Sequence, residues 1–243
     1  TVTVTDANGC KKGGSIKLDE VVAFLISAGS THVSCNGVCD GTASATGILG
    51  NPPYTYKWNT GPTTQTITNR CAGTYTVTAT DANGCKIGAS VTITQPPLFI
   101  LTTGSKPVSC NGKCDGIVTA SVSGGTQIGK TGEEIVTYIW SNGGIYASVD
   151  SVCAGTYTVT AKDVNGCKAW GTVTVTQPMA ITISIVSTNI SCNGVCNGAI
   201  TPTVSGGTPA YTYKWSNGVT TLTLTSLCPN SYTITVTDSK GCK

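Results

Sequence analysis

The chain has 243 residues and a formal net charge of +3. Charged residues make up 10% of it, against about 25% in an ordinary soluble domain, and they form no basic stripe for nucleic acid. No stretch approaches the roughly 20 apolar residues of a membrane helix, so neither nucleic acid nor a membrane span is expected.

Thr occurs 43 times and Gly 30 times, with a single Met and a single His. Thr favours strands over helices and Gly punctuates turns, so the chain reads as all-β. In chain order, residues 1–18 read as the C-terminal strands of a truncated repeat, because Thr1 to Cys10 reproduces the tail of a later segment. Repeat 1 runs over 22–95. It carries Cys35-Asn-Gly-Val-Cys39-Asp-Gly near its start and Ala72-Gly-Thr-Tyr, leading to Asn-Gly-Cys85, near its end. Repeat 2, over 98–177, writes these motifs around Cys110, Cys114, Cys153 and Cys167, with a seven-residue insertion near 127–134. Repeat 3, over 180–243, has Cys192, Cys196, Cys228 and Cys242. It lacks the last strand, which the earlier repeats write as Val91-Thr-Ile-Thr and Val173-Thr-Val-Thr. The final cysteines at 10, 85, 167 and 242 recur with periods of 75, 82 and 75. A longer chain with repeats on both sides is expected.

Within a repeat the strands alternate with period two. Tyr75, Val77 and Ala79 point one way, and Thr74, Thr76, Thr78 and Thr80 the other. Nine Asn-Gly pairs mark tight turns, and Gln95-Pro-Pro and Gln177-Pro-Met stiffen the joins. The expected fold is a tandem of immunoglobulin-like β-sandwich repeats, stapled by disulfides and strung head to tail. Trp58, Trp140 and Trp215 sit mid-strand where a sandwich holds its core tryptophan. Tyr75, Tyr157 and Tyr232 follow a tight turn, as a tyrosine corner does. Trp170 is out of phase with Val173 and Val175, so it is expected to face solvent as an exposed contact residue.

Cysteine carries the strongest chemistry. The 13 cysteines divide into four per repeat plus Cys10, which has no partner in this window. An even count per small repeat points to disulfides in an oxidising compartment. A four-cysteine zinc site is the competing reading, but zinc draws on tight knuckles that these spacings lack. Cys71 and Cys85 flank a strand that should hold them ~25 Å apart, too far to bridge. Cys39 and Cys71 should sit at the same end of the sandwich, with Cys35 further up the first strand towards Cys85, so the pairing expected is Cys35–Cys85 with Cys39–Cys71. Its equivalents are Cys110–Cys167 with Cys114–Cys153, and Cys192–Cys242 with Cys196–Cys228.

Other site chemistry is thin. His32 has no repeated carboxylate partner, so no hydrolytic triad or metal–histidine centre assembles. No catalytic residue, metal ligand or cofactor is assigned. Asp40, Asp115, Asp81, Asp163 and Asp238 read as turn caps, with calcium at a repeat junction as the minor alternative.

The runs Ser-Cys-Asn-Gly-x-Cys-Asp-Gly, Gly-Gly-Thr-x-x-Tyr-Thr-Tyr-x-Trp-Ser-Asn-Gly and Cys-Ala-Gly-Thr-Tyr-Thr-Val-Thr-x-x-Asp-x-Asn-Gly-Cys together resemble the SprB-type repeat of giant cell-surface adhesins in gliding Bacteroidetes. The resemblance implies an extracellular, cell-surface filament attached to the outer membrane, exported by type IX secretion and used in gliding motility. It also makes Ser151, in Asp150-Ser151-Val152, a candidate glycan attachment site. The function expected is a non-enzymatic stalk segment of a secreted adhesin, supporting surface adhesion and gliding. The alternative is a repeat-borne polysaccharide-binding module. Expected partners are further repeats of the same chain, with surface polysaccharide and the outer-membrane gliding and secretion machinery beyond them.

Overall fold

The structure, a computed structural model, describes residues 1–18, 23–126 and 136–243. The insertion expected near 127–134 lies outside the described residues. Those described form nineteen strands and no helix. Two compact units divide the chain, Thr1–Pro96 and Pro97–Lys243.

In the first unit, β1 (Val2–Thr5) and β2 (Lys11–Gly14) pair as an exposed hairpin. Then come β3 (Leu25–Thr31), β4 (Gly41–Ile48), β5 (Thr55–Trp58), β6 (Thr66–Arg70), β7 (Gly73–Thr80) and β8 (Lys86–Ile93). They form two sheets, β3-β4-β6 and β5-β7-β8. Lettered in order as A, B, C, E, F and G, they give A-B-E facing C-F-G. That is the constant-type immunoglobulin arrangement with strand D left out. Strand β3 also runs alongside β8 in the same direction. Ser30 Oγ donates to the Thr92 carbonyl and Val33 N to the Thr94 carbonyl. That lateral contact fixes which cysteines lie at which end.

The core follows from the alternation. Ala43, Ala45 and Ile67 from one sheet meet Trp58, Val77 and Ile93 from the other. Burying each Val or Ile contributes about 1.5–3 kcal/mol. The Thr positions of β7 and β8 stay outside, where Thr74 and Thr92 are directly opposite and their hydroxyls lie 3.4 Å apart. The glycine after Cys-Asp allows a close approach between the sheets. A Cβ on Gly41 would lie 2.8 Å from Ile93 Cγ2 and 3.0 Å from the Arg70 carbonyl oxygen.

The second unit holds the same plan twice. Strands β9 (Ile100–Lys106), β10 (Gly116–Ser123) and β12 (Ser148–Val152) face β11 (Thr137–Trp140), β13 (Gly155–Lys162) and β14 (Lys168–Val175). Their core gathers Val118, Trp140, Val152, Val159 and Val175. Next, β15 (Thr182–Thr188), β16 (Gly198–Ser205) and β18 (Leu224–Leu227) face β17 (Thr212–Trp215) and β19 (Ile234–Thr237). This last copy has two strands where the others have C-F-G, and Ile185 and Val186 of β15 stand exposed. Asn-Gly turns behave as their chemistry dictates, and Gly84 and Gly166 sit at φ +84° and +90°.

Candidate functional site

The aromatic positions that recur from copy to copy are structural. Trp58, Trp140 and Trp215 are only 1–2% exposed. Their indole N–H groups donate 2.9 Å bonds to the carbonyls of Thr64, Tyr146 and Thr221. Tyr75, Tyr157 and Tyr232 donate their hydroxyls to the carbonyls of Cys71, Cys153 and Cys228, each four residues upstream. This is the tyrosine-corner geometry, and it ties the corner to the carbonyl of a bridged cysteine. Trp170 lies on β14 opposite Thr160 and is 80% exposed. Ser151 is exposed on β12 at φ +56°, beside the register shift between β10 and β12. His32 Nδ1 accepts from Thr94 N at 3.1 Å and so supports the β3–β8 seam.

The cysteines split into an inner and an outer set. The inner set is fixed by strand register. Gly41 lies opposite Arg70, Gly116 opposite Val152 and Gly198 opposite Leu227. The cysteine two residues before each glycine therefore meets the cysteine just after its partner. Cys39–Cys71, Cys114–Cys153 and Cys196–Cys228 are disulfides.

The outer set departs from expectation. Cys110 bonds Cys242, in the next copy of the sandwich, across a separation of 132 residues and a Cα–Cα distance of 5.6 Å. Cys35 and Cys167 are also disulfide-bonded, while Cys10, Cys85 and Cys192 are free and exposed. The expected Cys35–Cys85, Cys110–Cys167 and Cys192–Cys242 pairings are therefore corrected. The reason is strand direction. Because β3 runs alongside β8, Cys35 lies beyond the end of β8, where Asn36 Nδ2 donates to the Pro96 carbonyl and Gly37 N to Gln95 Oε1. Cys85 immediately precedes the start of β8, eight residues away, or about 26 Å at strand rise.

The loop around Cys110 is held from three sides. Val108 N donates to the Thr176 carbonyl, Asn111 Nδ2 to the Pro178 carbonyl and Gly112 N to Gln177 Oε1, which clamps the loop onto the outgoing linker. Asp115 accepts from Ser109 N at 2.8 Å and from Ser109 Oγ, with Lys113 Nζ 3.1 Å away. The Ser109 bonds and then the lysine hold its carboxyl well below the usual aspartate range. From the following copy comes the turn that presents Cys242. Asp238 Oδ1 accepts from Lys240 N and Cys242 N at 2.9 Å, and Oδ2 accepts from Thr208 N at 2.7 Å. Burial pushes this carboxyl up, and the backbone donors of Thr208, Cys242, Lys240 and Gly241 outweigh it and leave it lowered. Asp81 repeats the balance with Asn51, Cys85 and Asn83. A cleft of about 450 Å³ beside the bridge is lined by Asn111, Pro178, Met179 and Gly241 among others, with no aromatic face. Among the described residues, no group of three or more His, Cys, Asp or Glu is placed to hold a metal.

Fold and cysteine framework together define a tandem of disulfide-stapled immunoglobulin-like sandwiches. The family model of the SprB repeat matches residues 27–63 and 184–220. No curated protein matches the chain. Among solved structures, the complex of Dpr2 Ig1-Ig2 with DIP-Theta Ig1-Ig3 is 11% identical, over 89% of this chain and 96% of that one, at a TM-score of 0.29. A tetra-tandem repeat in the extending region of a large adhesion protein is 14% identical, over 90% of this chain and 64% of that one, at a TM-score of 0.24.

The inter-copy bridge is what sequence reasoning missed. Ser30 and Val33 hold the signal for it: while β3 pairs with β4, these two residues also bond the last strand. That signal appears once the strands are placed, not before.

Proposed function

We propose that this chain is a spacer segment in the stalk of a secreted cell-surface adhesin, supporting adhesion and gliding at the outer surface of the cell. The observation that carries this reading is the use made of the aromatic residues. Each copy spends its recurring Trp on the core and its recurring Tyr on the corner, so no stacking platform for sugar recurs from copy to copy. What does recur is the sealed sandwich with its inner disulfide, a unit suited to setting reach. The SprB repeat supports the adhesin context. A non-enzymatic role fits a chain whose buried carboxylates are turned to backbone N–H groups.

Trp170 favours the second reading, in which a repeat touches a polysaccharide, because an 80% exposed indole can stack on a sugar ring. A glycan array with the oxidised chain separates the two. The spacer reading expects no binding above background. Binding that is lost on Trp170→Ala would replace it with the second reading.

A further inference from the structure

We propose that Cys192 is the covalent docking point for the last turn of a further SprB repeat, so that successive repeats are joined by a disulfide strap as well as by the backbone. The inference stands apart from the spacer reading, since a glycan-binding repeat would be strapped in the same way.

The pattern is drawn by the second unit itself. There the first cysteine of one copy, Cys110, bonds the last cysteine of the copy that follows, Cys242. The bond is made between two prepared surfaces. One is the Ser109–Asp115 loop, pinned by Asp115 and clamped on Gln177 and Pro178. The other is the Asp238 turn, which buries Cys242 to 8% exposure and brings its Sγ within 3.3 Å of the Ser109 carbonyl oxygen. The third copy rebuilds the first of these surfaces. Its loop, Ser191-Cys192-Asn-Gly-Val-Cys196-Asn, differs from the Cys110 loop only at the fifth and last of these positions, and Asn197 accepts from Ser191 N at 3.0 Å as Asp115 does from Ser109 N. Yet Ser191 through Asn197 are all exposed and Cys192 is a free thiol, whereas Ser109 and Cys110 are half-buried. The loop has the receptor chemistry without the turn that fills it in the second copy. The first unit presents the complementary piece. Cys85, which ends an Asp81 turn with the hydrogen bonds of the Asp238 turn, is likewise free and exposed.

Closing the strap is a two-electron oxidation. The thiols of Cys192 and of the incoming turn cysteine lose two protons and two electrons, which reduce the disulfide of an oxidised dithiol carrier to two thiols. The product is one new S–S bond.

Two measurements test this. Met179 is the single methionine, lies in the linker between the second and third copies and is 78% exposed. Cyanogen bromide cleavage after Met179 in acid should leave one species of full length without reductant and two fragments with it. Separation without reductant would remove the Cys110–Cys242 strap and the pattern with it. The second measurement appends another copy of residues 169–243 after Lys243 and refolds the chain in a glutathione redox buffer. Peptide mapping should link Cys192 to the last cysteine of the appended copy and leave Cys10 and Cys85 alkylatable. If Cys110–Cys242 forms in that chain while Cys192 stays free, or bonds Cys85 instead, the proposal is overturned. Cys110–Cys242 serves as the folding control in the same digest, and its absence would overturn the proposal as well.

Discussion

Cys110 and Cys114 belong to one loop of the second sandwich, with three residues between them, yet they answer to different levels of structure. Cys114 closes on Cys153 because β10 and β12 are neighbours in one sheet, so its partner is settled once that sheet forms. Cys110 closes on Cys242 because two whole sandwiches present a loop and a turn to one another. The inner bond is a product of register and the outer bond a product of packing between copies. The first should stabilise the sandwich that contains it, while the second should hold copies together and leave each sandwich much as it was.

The sharpest way to break that distinction is to delete one bond of each kind. For a loop of 39 residues the chain-entropy model assigns the Cys114–Cys153 bond about 4 kcal/mol. Cys153→Ser should therefore raise amide exchange in β10 and β12 by roughly a hundred- to a thousand-fold. Cys242→Ser should leave exchange in those strands within a few-fold of the parent. It should also let the chain cleaved at Met179 separate without reductant. Equal loss in β10 and β12 for the two variants would show that the outer bond also stabilises the sandwich.

A smaller effect is expected at Gly116, where a Cβ would lie 2.7 Å from Val175 Cγ1 and 3.0 Å from the Val152 carbonyl oxygen. Gly116→Ala should cost about 1–3 kcal/mol by overpacking the seam that aligns Cys114 with Cys153. Peptide mapping should then show incomplete Cys114–Cys153 with Cys110–Cys242 intact. Tyr157→Phe comes next. It removes the 2.9 Å bond to the Cys153 carbonyl and should cost about 1 kcal/mol, read as a shift of the urea midpoint for the second sandwich. An unchanged midpoint would show that the ring alone holds the corner.

The fold was legible because its determinants are local. The Thr alternation gives Tyr75, Val77 and Ala79 to the inside, and recurrence of Trp at one strand position marks it as core. The inner disulfides follow from the same strand order. The outer one was not legible, and the cause is the repetition that made the rest easy. Along a tandem array, Cys85, Cys167 and Cys242 are equivalent positions, so spacing alone does not say whether Cys110 reaches back, stays within its copy or reaches forward. Placing Cys35 toward Cys85 required β3 to pack on its own hairpin partner alone. It also lies beside β8, running in the same direction, and that contact carries the first cysteine to the linker end. No residue in either loop encodes this. The parallel seam and the copy beyond it do.

The smallest effect is one that vanishes at neutral pH and concerns the turn that presents Cys242. Asp238 has a folded-state carboxyl pKa below its ordinary value of 3.8, because the backbone donors outweigh burial. A depressed carboxylate contributes stability that is complete above the unfolded pKa and is lost as pH falls through the folded one. The turn should therefore be unaffected from pH 7 down to about 5 and loosen progressively below about 4. Reduction of Cys110–Cys242 by a phosphine, which acts at acid pH, reads this directly. Its rate should be flat at the upper end and rise as Asp238 takes up its proton, whereas Cys114–Cys153, set by strand register, should show a shallower rise. Asp238→Asn removes the titrating group, so the acid-specific rise at Cys110–Cys242 should disappear and the rate at pH 7 should already be high. A variant that keeps the acid rise would place its cause elsewhere, with the lowered Asp115 carboxyl beside Ser109 as the remaining group at the joint.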